Sequence, residues 1–248
     1  MWESISTQKS KSFIEHHFGQ KEKEKPATFI KPAITISRQE GAGGLTVASN
    51  LAEYLEKNTA SREPWTVFSQ HLVAKVLEEY KHDKRIGDFM KEDRKGFSLA
   101  GAFEEFVGLH PSTWTLVQQT NATILRLAQI GNVILVGRGA NVITSELENV
   151  FHVHLVGSLE KRIEQAQKVF SLDRKAATNY IKKKDEARRR YLKDNFDKDI
   201  NDPLLYHVVI NTDLVRYDEA ARLIGGEVIK RFKLDIPVKA TGTKSHLS

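Results

Sequence analysis

One stretch constrains this chain more than any other. AITISR, at 33–38, runs into the turn EGAGG and then into a periodic segment from Leu45. The first six residues form a short, β-rich apolar run. Val47, Leu51 and Leu55 then recur every four positions, with Ala48, Ala52 and Tyr54 widening the stripe of a helix buried on one side. Strand, glycine turn and helix in that order belong to α/β chains, and the turn falls at the carboxyl end of the strand, where open α/β sheets bind ligands. Glycine adopts positive φ and curls backbone N–H groups inward. The helix adds the positive end of its dipole, so an anion is held by amides. Gly41, Ala42, Gly43 and Gly44 are therefore candidate phosphate-binding residues, and Thr46 offers a hydroxyl to a phosphate or to Mg²⁺. The plain alternative is a tight connection that binds nothing.

The usual phosphate loop reads G-x-x-x-x-G-K-[S/T]. Here Arg38 replaces the first glycine and Gly44 the lysine. The loss removes a charge normally set against the β- and γ-phosphates, and Arg38 is the nearby candidate to replace it.

The rest of the chain repeats the alternation. Strands are expected at 65–69, after Gly131 in NVILVG, at 151–157 and at 207–212, and helices at 71–80, within 103–130 (broken by Gly108 and Pro111), after Ser158, over 173–198 and from Tyr217. Residues 81–101 are polar and glycine-spotted, so an irregular segment is expected. Together these predict an α/β fold: an open, doubly wound parallel sheet with helices on both faces. The domain is expected over 31–235, after an N-terminal extension (1–30) that ends in the charged linker QKEKEKP and either docks on the core or caps a dimer interface. A flexible tail is expected at 236–248.

Composition narrows the function. The chain has no cysteine, which excludes disulfides, thiolate nucleophiles and Cys-type metal sites. It is 40% hydrophobic and 28% charged, as in soluble globular proteins, with no eighteen-residue apolar run. The opening residues lack the apolar stretch of a secretory signal, so the expected place is cytoplasmic, with no membrane partner. The net charge is +6, and residues 168–198 alone hold eleven Lys/Arg against five Asp/Glu. Such a segment suits an anionic partner or is simply a solvated helix face. Aromatic residues do not interleave with the basic ones, which weighs against single-stranded nucleic acid. His152 and His154 share a strand face, but no carboxylate is close in sequence, so they read as core or cleft histidines rather than metal ligands.

ITISRQEGAGGLTVASNLAEYL, VILVGRGANVI and DEARRRYLKDNF…DPLLYHVVINTD occur in that order over about 33–230. Together they resemble the cytidylate kinase-like proteins. The resemblance implies a P-loop NTPase fold of the nucleoside-monophosphate-kinase type, with a helical lid over about 173–200 and with ATP and Mg²⁺ as cofactors. It implies that Arg138 contacts the acceptor, although Gly139 stands where cytidylate kinases carry an aspartate. From the lid it implies Lys184, Arg188 and Arg189 as catalytic residues and Asp185 as a substrate contact; Lys184 takes the place of an arginine. On a helix Lys184 and Arg188 share one face, as do Asp185 and Arg189. Thr212 and Asp213 are placed beside the adenine. Arg162 matches an arginine near the nucleotide, but a surface salt-bridge partner is the plainer reading. The implied activity is transfer of the ATP γ-phosphate to a nucleoside monophosphate such as CMP. The rival is a degenerate P-loop module that binds nucleotide and regulates a partner without turnover; a basic nucleic-acid binder is a third reading.

Overall fold

The computed structural model describes residues 8–10, 12–13, 31–60, 63–69 and 111–234, without the side chains of 111–119. The expected helix at 71–80, the irregular stretch 81–101, the start of the 103–130 periodicity, most of the extension and the 236–248 tail lie outside the described residues.

β1 (Ala33–Arg38) is the centre of the sheet. With β2 (Thr66–Ser69), β3 (Val133–Val136), β4 (Val150–Val156) and β5 (Val208–Asn211) it forms a five-stranded sheet in the order β2-β3-β1-β4-β5, every pair parallel. Strand order reverses at β1, so the crevice at its carboxyl end opens between the connections that leave β3 and β4. Arg38 ends β1 and Arg138 follows β3, so both arrive at this crevice from the sheet itself.

The two faces of β1 differ. Ile34 and Ile36 turn into the main apolar core with Val47, Leu51 and Leu55 of α1 (Gly44–Asn58) and Ile224 and Val228 of α6 (Tyr217–Arg231). Each such aliphatic side chain contributes about 1.5–3 kcal/mol when taken from water. On the other face α2 (Pro111–Ile130) places Ile124 and Leu127 over Phe68, Val133 and Leu135. Pro111 opens this helix, which explains why the periodicity restarts there. Phe13 of the N-terminal extension joins this second cluster edge-on to Phe68, with ring centroids 5.7 Å apart, so this part of the extension docks on the domain. Among the described residues no helix is long and apolar enough to cross a membrane.

Thr35 and Ser37 share the α2-side face of β1 but meet a buried polar layer instead. Thr35 Oγ1 lies 2.9 Å from His152 Nδ1, and the His154 ring stacks on Tyr206 at 4.6 Å. Tyr206 donates its hydroxyl to Ile200 O at 2.9 Å. Both histidines are buried, and no metal-holding cluster of three or more occurs among the described residues. Burial lowers each imidazole from its usual 6.5 to about 4. Because the folded pKa lies below the unfolded one, stability is full above about pH 6.5 and falls as the pH drops from there towards 4. Urea unfolding should therefore show a loss on the order of a few kcal/mol between about pH 7 and pH 5. His154→Phe should flatten part of that slope, whereas a profile that is already flat in the parent chain would contradict it.

Candidate active site

The loop after β1 is built for an anion. Gly41 and Gly43 take φ of +83° and +78°, which turns successive amides towards one side. Gly43 also caps α1 without a side-chain hydrogen bond, and no acidic residue lies in the first turn. α4 (Leu159–Phe170) and α5 (Arg174–Phe196) instead occupy amides at their own N-termini with Ser158 and Asp173. The first amides of α1 are thus left for whatever the loop binds. Leu45 holds the hydroxyl position of the standard loop pattern, and Thr46, one residue on, is exposed in the first turn.

A cleft of about 730 Å³ lies between the end of β1, β4 and α5, and Gly41 to Gly44, Thr46 and Arg138 are not among the residues that line it. Arg38, Gln39, His154, Arg162, Asp185, Arg188 and Arg189 are among its walls. The stripe of α5 that faces inward runs Ala177, Ile181, Asp185, Arg188, Leu192, a spacing of four, four, three and four. Ile181 and Ala177 close a small apolar cluster with Ile163 and Ala166 of α4, so the two helices pack as a unit separate from the main core. This face pairs Asp185 with Arg188 at 3.6 Å, not Asp185 with Arg189. Arg188 is buried, and Arg189 is exposed and paired with Glu186. Lys184 stands off the stripe with its Nζ 5.5 Å from the Tyr180 ring centre, and it is not part of the cleft wall.

Carboxylates thread between these cations. Asp185 Oδ1 accepts from the Glu40 amide of the loop at 2.7 Å, and its Oδ2 accepts from Arg162 Nη1 at 2.5 Å. Arg162 also donates to Glu40 O at 3.1 Å and to Gly157 O at 2.9 Å, and Arg188 pairs with the Glu40 carboxylate. Arg162 is therefore a buried strut between the loop and α5, not a surface partner, and Glu40 enters the site without having been singled out in the sequence. The signal was a buried arginine on an otherwise amphipathic helix; only its partners, far away in sequence, reveal it.

The guanidinium groups remain in excess. Arg38 is lowered to about 10, first by burial and then by Arg188, with Glu40 opposing and Arg138 adding to the fall. Burial, before the charge of Arg188, also lowers Arg138. Arg38 Nη1 and Arg188 Nη1 are both buried without a hydrogen-bond partner among the described residues. Buried donors of this kind cost about 1–3 kcal/mol each when unsatisfied, so the cleft is arranged for an acceptor-rich anion such as a phosphate. Mg²⁺ at such sites needs only one or two protein ligands beside phosphate oxygens; Thr46 is exposed on the first turn of α1 and does not line the cleft.

Arg138 packs its guanidinium on the Tyr191 ring at 4.9 Å. Gly139 beside it, at the start of α3 (Ala140–Ile143), takes φ +75°, and a Cβ there would stand 3.0 Å from Phe196 and 3.2 Å from Tyr191. The aspartate of the cytidylate kinases would be strained at this position and would press on the end of the lid helix. Asp213 Oδ2 accepts from the Ser158 amide at 2.9 Å, and Thr212 Oγ1 donates to Val156 O at 3.1 Å. Both tie the turn after β5 to the turn after β4.

The sequence model of the cytidylate kinase-like family matches residues 33–214. No curated protein matches the chain. Among solved structures it is similar to an uncharacterized protein from Eubacterium ventriosum, at 20% identity and a TM-score of 0.59, covering 80% of this chain and 98% of that one. It also aligns with a shikimate kinase from Bacteroides thetaiotaomicron, at 14% identity and 0.43, covering 82% and 99%. A third is a shikimate kinase from Acinetobacter baumannii in complex with shikimate, at 16% and 0.42, covering 83% and 96%. At 20% identity the first likeness is one of fold alone, and the other two superpositions are too loose to add to it.

If Arg162 is a buried strut, Arg162→Met should lower the unfolding free energy by about 2–4 kcal/mol. Arg174→Met, which breaks the exposed pair with Glu160, should cost less than about 1 kcal/mol. Equal small losses in urea melts of both variants would contradict the buried network.

Proposed function

We propose that this chain, which belongs to the cytidylate kinase-like family, transfers the γ-phosphate of ATP to the phosphate of a small acceptor, a nucleoside monophosphate of the CMP type. The observation that carries this reading is the buried Nη1 of Arg38, which has no hydrogen-bond partner among the described residues, in a cleft that Arg188 also lines. Phosphate oxygens can match such a group bidentately.

In this reading the amides of Gly41 to Gly44 and the N-terminus of α1 hold the donor phosphates, and Thr46 turns its hydroxyl to the same place. Arg138 holds the acceptor phosphate from the end of β3. Mg²⁺, when bound with ATP, neutralises charge on the β- and γ-phosphates. An acceptor phosphate oxygen forms the new bond to the γ-phosphorus while the bond to the β–γ bridging oxygen breaks and leaves ADP. An ionised phosphate nucleophile needs no proton removed. The site accordingly requires positioning and positive charge more than a general base. Arg188 supplies that charge from the lid helix, and Arg189 and the lysines at 182–184 add a more exposed field around it.

The rival reading, a nucleotide-binding module without turnover, is favoured by one specific feature. Glu40 and Asp185 already neutralise Arg188 and draw the lid helix onto the loop through side chains of the chain itself. A module that only reported nucleotide binding would need no more than the release of those contacts.

ADP release from ATP·Mg²⁺ over a panel of nucleoside monophosphates separates the two. The kinase reading expects acceptor-dependent turnover that falls by at least about a hundredfold in Arg188→Ala. Saturable ATP binding with no turnover on any member of the panel would sink the nucleotide-kinase assignment in favour of the module.

A further inference from the structure

Gly44 is the first residue of α1 and sits where phosphate loops carry lysine. It shows no left-handed φ, so its backbone would accept a side chain. Space forbids one. A Cβ on Gly44 would stand 3.0 Å from Arg38 Cγ, 3.2 Å from Cδ and 3.4 Å from Nε. The stem of Arg38 thus lies across the bare first turn of α1, and its guanidinium is delivered from the end of β1 to the helix N-terminus that a loop lysine would otherwise serve.

That guanidinium is not consumed by the fold. Its Nη1 is buried without a partner among the described residues. Glu40, the carboxylate that acts on it, is already paired with Arg188. A buried cation beside two further arginines and without a carboxylate of its own gains most from an incoming anion. At neutral pH it remains protonated, because burial lowers it only to about 10.

We infer that Arg38 binds the terminal phosphates of the donor nucleotide in place of the loop lysine, and that residue 44 is glycine so that the arginine stem can cross it. The inference rests on the donor-site reading above and adds to it the residue that reads phosphate number. Charge and glycine have exchanged places across the loop. An arginine in this role presents two parallel donors to phosphate oxygens, where a lysine presents a point charge.

Calorimetric titration of the full-length chain with ATP·Mg²⁺ and, separately, with AMP tests this without relying on turnover. Arg38→Met, which keeps an apolar stem over Gly44, should weaken ATP binding by about ten- to a hundredfold and AMP binding by less than about twofold. The double variant Arg38→Ala/Gly44→Lys should recover at least about a tenth of the parent's ATP affinity, because removing the arginine stem clears the space over residue 44 for a lysine. If Arg38→Met melts below the assay temperature, Arg38→Gln repeats the comparison with most of the stem retained. Parent-like ATP affinity in a folded Arg38 variant overturns the inference and leaves the donor site standing. An equal loss for ATP and AMP also overturns it, since the residue would then not discriminate by phosphate number. A parent chain that binds no ATP removes the donor-site reading and this inference together.

Discussion

Positive charge held out of water is the constraint on which the rest of this structure depends. Arg38, Arg138, Arg162 and Arg188 gather at the carboxyl edge of the central strand, with Glu40 and Asp185 between them. Buried charges are tolerated only when paired or hydrogen-bonded. Each carboxylate therefore has more than one duty: Asp185 accepts from both the loop amide and Arg162, and Glu40 takes Arg188 while its carbonyl takes Arg162. The parallel sheet makes this possible. Reversal of strand order at β1 brings the ends of β1, β3 and β4 to one crevice, so side chains more than a hundred residues apart meet with little freedom to move away.

Most of the fold was legible in the sequence because parallel sheets declare themselves. VILV in β3 is apolar on both faces, and the four-residue spacing of Val47, Leu51 and Leu55 marks a helix lying on such a sheet. The polar layer under Thr35 and Ser37 was harder to see. Each of those residues is compatible with a strand, and only register with His152 and His154 shows that the layer is continuous. The docking of Phe13 was similarly hidden, because one aromatic in a charged extension gives no period to read.

The candidate site divides along the same line. The glycine loop, Arg38, Arg138 and the lid helix were legible as local motifs. Which lid residues face inward was not. Helical spacing allows several faces, and the one chosen is set by Ala177, Ile181 and Leu192 packing inward, which selects Asp185 and Arg188 and leaves Lys184 on Tyr180 and Arg189 on Glu186. Arg162 looked like an ordinary surface arginine because two of its three acceptors, on Glu40 and Asp185, come from other segments. Gly139 looked like a lost aspartate. Its left-handed backbone beneath Tyr191 and Phe196 shows instead that the end of the lid helix has taken the space, and that Arg138 has taken an aromatic ring for its neighbour.

In the proposed reading, the loop and α5 bind an anion together, and the carboxylates of the chain that bridge the cations give way to phosphates. Hydrogen exchange on the full-length chain with and without saturating ATP·Mg²⁺ tests this most directly. The account predicts slowed exchange in two separate segments at once, residues 39–46 and 181–192, since a ligand between them must order both. ATP binding that protects neither segment, or only one of them, would contradict it.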